Sequence, residues 1–233
     1  MKSKNNSLIG YTGFIGSNLQ KTDCFSNFYN SKNIKSISQQ THETIVCAAP
    51  GATKWKINKE PHKDLQNIEK LFYNIKDVKC NKFILLSTID VHTSLKDISY
   101  GGNRHHFENK ILKHFPNSAS IIRLPGLFGP NLKKNTIYDL QNERCEFVNL
   151  NSSFQWLHVK NIIDFISLDP PTGIHELYPE PIETNEIVDK YFPHLKNRCS
   201  IKERSEYKFI PSSGYYMKKS EVLKDLKEYL NVP

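Results

Sequence analysis

Leu8-Ile9-Gly10-Tyr11-Thr12-Gly13-Phe14-Ile15-Gly16 is the stretch on which the fold turns. Leu8 and Ile9 read as the core of a short strand, and Phe14 to Gln20 as the first turns of a helix. Strand, glycine-rich turn and helix together set backbone N–H groups and a helix N-terminus against an anion. Glycine lets the backbone approach closely and adopt positive φ. A lone glycine motif occurs in ordinary turns. Here it follows an apolar run and opens an amphipathic segment, which is the context that gives it meaning.

Outward from this loop, short apolar runs alternate with helical patterns. Thr44 to Ala48 (TIVCA) is a second apolar run, ended by Pro50-Gly51. Pro61 to Lys79 has helical spacing, with Leu65, Ile68, Leu71, Phe72 and Ile75 on one face. Phe83 to Leu86 reads as a buried parallel strand, Tyr100 to Phe115 as a helix and Ser120 to Leu124 as a further strand. This alternation predicts an α/β fold, a Rossmann-like doubly wound parallel sheet over residues 1–125. Asn161 to Leu168, Glu183 to Phe192 and Ser220 to Leu230 look helical and are punctuated by Pro170-Pro171, Pro179 and Pro181. Residues 126–233 are expected to form mainly a small C-terminal substrate lobe, partly interleaved with the sheet domain.

The 233 residues carry a formal net charge of +8, but the lysines are spread along the chain with no long basic run. That distribution argues for a solvated basic surface rather than a nucleic-acid face, and suits a phosphorylated small molecule. The five cysteines include no C-x-x-C pair and their number is odd. A disulfide framework and a zinc motif are both excluded, and a reducing, cytoplasmic setting is expected. The basic start Met1-Lys2-Ser3-Lys4 is followed by apolar residues broken by Gly10, Gly13 and Gly16, so a signal peptide is not expected. No run approaches the roughly 18 apolar residues of a membrane span.

The chemistry-bearing residues come in order. Leu85-Leu86-Ser87-Thr88-Ile89-Asp90-Val91-His92 follows the buried strand, and Tyr100-Gly101-Gly102-Asn103-Arg104 heads the next helix. Residues four apart share a helix face, so the phenol and the cation can converge. The G-x-x-G-x-x-G loop, the Ser87-Thr88 stretch and the tyrosine-led helix resemble the extended short-chain dehydrogenase/reductase superfamily. Further on, Arg123-Leu124-Pro125-Gly126-Leu127-Phe128-Gly129-Pro130 is similar to its R-x-x-N-x-[YF]-G-P segment, and Phe154-Gln155-Trp156-Leu157-His158-Val159 to its R-D-[FW]-[IL]-H-V segment. The ordered set spans most of Leu8 to Ile163.

The resemblance implies an NAD(P)-dependent reductase or epimerase acting on a nucleotide-linked keto sugar for surface polysaccharide. It assigns Tyr100 as acid/base, Thr88 to orient the carbonyl, Arg104 to lower the phenol pKa and hold the ribose, and Asn67 to a proton relay. Cofactor contacts are expected from Gly10, Gly13, Phe14, Ile15, Gly16, Asn30, Ser31, Lys32, Cys47, Ala48, Ala49, Ser87 and Pro125. Gly126, Trp55 and Trp156 are expected at the substrate. About 20 residues past the loop, NAD enzymes carry an acid that holds the ribose 2′-hydroxyl. Asn30 stands there, so NADP is expected ahead of NAD. The helices Pro61 to Lys79 and Tyr100 to Phe115 correspond to the superfamily's usual dimer surface, so the resemblance implies a homodimer. No nucleic-acid or membrane partner and no metal are expected. Adjacent His105-His106 point about 100° apart on a helix and do not share an ion, and His158 reads as a core histidine.

The chain also departs from the superfamily. Arg104 replaces the lysine of Y-x-x-x-K, and an arginine fork is not an ammonium. Only ten residues, Ile34 to Glu43, separate the Asn30 region from the strand at Thr44, so one strand and its helix are expected to be missing or reduced. Thr88 and Tyr100 are only twelve positions apart. These departures motivate an alternative, a non-catalytic NAD(P)-binding sensor or scaffold with a degraded site.

Overall fold

Six parallel strands form the main sheet, and their order follows from which apolar runs pair. In the computed structural model, which describes residues 5–93 and 98–231, the chain begins with β1 (Ser7–Ile9), α1 (Phe14–Leu19) and β2 (Asn27–Tyr29). A 3-10 helix (Ile34–Gln39), β3 (Thr41–Cys47), α2 (Lys54–Lys59), α3 (Pro61–Ile75) and β4 (Lys79–Thr88) follow. A 3-10 turn (Ile89–His92), α4 (Tyr100–His114) and β5 (Ala119–Leu124) come next. The sheet order is β2-β1-β3-β4-β5, completed by the strand Gly173–Glu176. The reading of Met1–Lys4 lies outside the described residues, as do residues 94–97 of the connection between Thr88 and Tyr100.

The chain divides into two compact units. One runs up to Leu124 and takes in Phe165–Glu176; the other comprises Pro125–Asp164 and the chain from Leu177. In the first, Ile9, Ile45, Phe83, Leu85 and Ile121 pack in one cluster with Ile68 and Ile75 of α3 and Phe107 and Ile111 of α4. Leu8, Val46, Ile84 and Ile122 alternate with them and are buried on the opposite face. Both faces are covered, as a parallel sheet requires. β1 leads outward to β2, and the chain then crosses back to β3 on the other side of β1. The carboxyl end of β1 is thus the topological switch point, where open α/β sheets bind ligands.

Among the described residues one strand, β2, lies outside β1, and the crossover to β3 is a single 3-10 helix. Ile34 and Ile37, three residues apart, are the side chains it buries. His42 pins the segment, its Nε2 donating to the Ile37 carbonyl at 2.8 Å and its Nδ1 accepting from the Ser7 hydroxyl at 2.7 Å.

The second unit has its own core around Phe128, Ile137, Leu140, Trp156, Ile187 and Leu226. Gly126–Phe128 pairs with Trp156–His158, and Ser152–Phe154 lies between Ile182–Glu183 and Ser205–Tyr207. The buried Gln155 amide ties this unit, donating to the Pro179 and Phe209 carbonyls and accepting from the Phe209 N–H.

Candidate functional site

The glycine loop closes on itself through backbone contacts. Gly10 has φ +82°, and a Cβ there would lie 2.9 Å from the Ala48 carbonyl. A Cβ on Gly16 would fall 2.1 Å from the Gly10 carbonyl oxygen, so the first turn of α1 requires glycine for packing alone. Gly13 differs: a Cβ there would meet only the Gly10 oxygen, at 3.4 Å. The fold has no need of glycine at that point, whereas a ligand pressed against the loop would.

Beside the loop lies a cleft of about 790 Å³. Gly10, Thr12 and Gly13 line it from the loop, Asn30, Ser31, Ile34 and Lys35 from beyond β2, and Ala48 to Gly51 from the end of β3. Asp64, Asn67, Lys70, Leu71 and Asn74 face it from α3. Of the residues expected at a cofactor, Gly10, Gly13, Asn30, Ser31, Ala48 and Ala49 meet here, with Asn67.

Several expected residues stand elsewhere, each for a physical reason. Phe14, Ile15 and Gly16 form the start of α1 rather than the cleft wall. Cys47 points into the core beneath the sheet, its thiol donating to the Ala49 carbonyl and pushed by burial up to about 12. Lys32 is exposed, and its N–H serves to cap the Asn30 side chain; Lys35, one helical turn on, is the lysine that reaches the cleft. The Ser87 hydroxyl donates to the buried Glu108 carboxylate. Trp55 stands on α2, 64% exposed and covered by the Lys59 ammonium. In the second unit, Pro125 precedes Gly126, and the Trp156 ring lies over Gly126, where a Cβ would come within 2.8 Å of it. Trp156 is thereby buried and presents no open face. His158 is half-buried, accepts from the Lys160 N–H and packs between Phe128 and Tyr229.

Tyr100, Thr88 and Arg104 do come together. The Ser99 hydroxyl caps α4, and the Asn58 side chain accepts the Tyr100 N–H at 2.9 Å. Gly101 lets the helix start against the 3-10 turn, since a Cβ there would lie 2.1 Å from the Asp90 carbonyl oxygen. Tyr100 is buried, and its phenol lies beside Thr88. Thr88 in turn donates to Asp90 at 3.0 Å, and Asp90 pairs with the half-exposed Lys54 ammonium at 2.5 Å.

Arg104 does not hold the position expected of it. Its guanidinium stacks 4.7 Å over the Tyr100 ring, and its fork donates to both Asp64 oxygens, at 2.8 and 3.2 Å, and to the Gly51 carbonyl at 2.7 Å. Asn103 donates to the same Asp64 carboxylate. Nor is the phenol pKa lowered. Burial raises it, outweighing the nearby Arg104 charge, with Asp90 and Asp64 adding to the rise. Tyr100 therefore keeps its proton at neutral pH, and Arg104 joins it to the cleft wall through Asp64 and Gly51.

Sequence reasoning missed Asp64, Lys54 and Asp90 as partners. Asp64 had a signal: it precedes Asn67 by three on one helix face, so an acid shares the face of the expected relay residue. A second network was also unseen. The Arg123 guanidinium donates to Glu108 and Glu176, and His92 contacts Glu176 at 2.8 Å.

This geometry belongs to a dinucleotide-type α/β fold with a glycine loop at its switch point. Solved structures with the same fold include a UDP-N-acetylglucosamine 4-epimerase from Methanobrevibacter ruminantium M1, with a TM-score of 0.71, 16% identity, and 99% of this chain and 98% of that chain covered. A dTDP-4-dehydrorhamnose reductase from Bacillus anthracis str. Ames, in complex with NADP, matches with a TM-score of 0.67 at 15% identity over 98% of each chain. A UDP-glucose 4-epimerase from Thermotoga maritima matches with a TM-score of 0.67 at 16% identity, covering 97% and 92%. At these identities the likeness establishes the fold. A scan against protein-family models gives no match, and neither does a search of curated protein sequences.

Proposed function

We propose that this chain is an NAD(P)-dependent oxidoreductase or epimerase acting on a keto group of a nucleotide-linked sugar. The observation that carries the reading is the open side of Gly13, a position where the fold leaves room and a pyrophosphate would fill it. The Gly10–Gly13 loop, Asn30, Ser31, Ala48 and Ala49 would hold the dinucleotide along the cleft. When bound, the nicotinamide would supply or accept the hydride.

The chain's own residues supply the proton chemistry. Tyr100, kept neutral by burial, is set to give its proton to the substrate oxygen, and the Thr88 hydroxyl orients both. Lys54, through Asp90 and Thr88, links the phenol to solvent. Arg104, stacked on the Tyr100 ring, acts as a positioning group for it. The nucleotide-sugar substrate is supported by the resemblance of the motifs and by the epimerases and the reductase that share the fold. A cytoplasmic homodimer serving surface polysaccharide belongs to the same reading.

Tyr100→Phe tests it. Dinucleotide binding is expected to persist, while turnover of keto-sugar nucleotides falls by roughly 10²–10⁴; undiminished turnover would remove Tyr100 from the mechanism. The locked Arg104 fork favours a second reading, a binding protein without turnover. That reading requires dinucleotide binding by the wild type and no activity on any keto-sugar nucleotide.

A further inference from the structure

A proton donor has to touch its substrate, yet Tyr100 is only 6% exposed. The element that lies across the head of α4 is α2, and the Asn58 side chain on α2 accepts the Tyr100 N–H at 2.9 Å. α2 is weakly built. It has six residues, buries none of them and turns Trp55 outward, 64% exposed. A helix this short has little stability of its own. Polar contacts hold it down: Lys54 pairs with Asp90 at 2.5 Å, and the Gly51 carbonyl just ahead of it accepts from Arg104 at 2.7 Å. An ion pair made by a half-exposed lysine is weak. Gly51 itself stands in open space, since a Cβ there would meet nothing within 4 Å. Thr53 and Ile57 line the cleft, so one segment walls the cleft and touches the first residue of α4.

We propose that α2 is a lid, closed over Tyr100 in this structure, which swings as one unit from Gly51 onward and joins the phenol to the cleft. The inference rests on the reading of Tyr100 as the proton donor. Arg104 is the latch. Its guanidinium stacks on the Tyr100 ring, grips Asp64 and holds the Gly51 carbonyl at the base of the lid. A lysine ammonium has no planar fork to do all three, which gives the arginine at this place in the motif a task of its own. With no buried face to expose, α2 opens at low cost, and ligand binding can draw on the open form. Closure afterwards keeps water from the reacting atoms.

Amide hydrogen exchange on the ligand-free full chain, read residue by residue by NMR, tests this with Lys54→Ala. The amides of α2 and that of Tyr100 are expected to exchange at a common rate. Fraying of α4 would instead carry the Gly102 N–H, held by the Ser99 hydroxyl, along with that of Tyr100. A lid leaves Gly102 slower by about tenfold or more. The Tyr100 N–H is bonded to Asn58 and not to Lys54, so a several-fold faster Tyr100 amide in Lys54→Ala reports the lid moving as a unit. Lys54 is exposed, and unchanged exchange at Phe107 and Ile111 checks that the variant keeps its fold. Nitration of the Tyr100 ring by tetranitromethane, located by peptide mass spectrometry, is expected to rise by the same factor. A Tyr100 amide that follows Gly102, or that is indifferent to Lys54→Ala, overturns the lid. So does faster amide exchange without faster nitration, since the phenol would then stay covered. Undiminished turnover in Tyr100→Phe would instead remove the proton donor, with the motion of α2 still as measured.

Discussion

Arg104 is the residue whose environment differs most from what its position in the motif suggests. It is buried against Tyr100 with a bidentate grip on the equally buried Asp64. Removing one partner of such a pair leaves the other charge desolvated and alone, at a cost of about 3–5 kcal/mol. Arg104→Ala is therefore expected to lower stability by that amount in urea denaturation. Arg104→Lys recovers only part, since an ammonium cannot reproduce the two-point fork; a loss under about 1 kcal/mol would show the pair to be incidental. Tyr100 makes a separate prediction. Its phenol is raised above the ordinary value of 10.0, so the neutral form is favoured in the folded state. The stability this contributes is present below pH 10 and is lost as pH climbs through the raised value. Tyr100→Phe should flatten the alkaline unfolding curve; an unchanged curve would mean that the phenol ionises freely. Turnover that takes its proton from Tyr100 should likewise hold level through neutral pH, because the proton donor stays loaded.

At the scale of elements, the loop between β1 and α1 separates glycines that packing requires from Gly13, where the fold leaves room for a side chain. Gly16→Ala forces a Cβ into the Gly10 carbonyl and is expected to cost about 1–3 kcal/mol. Gly13→Ala should leave the melting temperature nearly unchanged and weaken dinucleotide binding; the reverse pattern would contradict the assignment. β1, β3, β4, β5 and the long helices α3 and α4 were legible in the sequence because burial imposes a pattern on them, whereas β2, three residues of which one is fully buried, was not. α2 was not: six residues, none of them buried, leave no pattern. The strand Gly173–Glu176 was also unreadable, being short, half-covered and far along the chain from β5. For the site, the motif resemblance placed Asn67 on the helix that is α3, Thr88 after the strand that is β4 and Tyr100 at the head of α4. It could not show that Lys35, on the 3-10 helix, lines the cleft while Lys32, ahead of that helix, does not. Nor could it show that Cys47 points to the core side of β3, since a strand alternates its faces and both were apolar.

At the scale of the molecule, the sheet unit is discontinuous in sequence. The strand Gly173–Glu176 pairs with β5, the Ser120 hydroxyl donates to the Pro171 carbonyl, and Glu176 meets both Arg123 and His92. A fragment of residues 1–125 would expose an edge of β5 and leave Arg123 short of one carboxylate. It is expected to unfold at markedly lower urea than the full chain, and equal stability would show the returning segment to be dispensable. The central claim, that the cleft at the switch point binds a nicotinamide dinucleotide, is tested most directly by calorimetry of NADPH with the purified full chain and with Gly13→Asp. The account predicts one site per chain with micromolar affinity in the wild type, lost in Gly13→Asp while the fold persists. No binding by the wild type, or undiminished binding by Gly13→Asp, would contradict it.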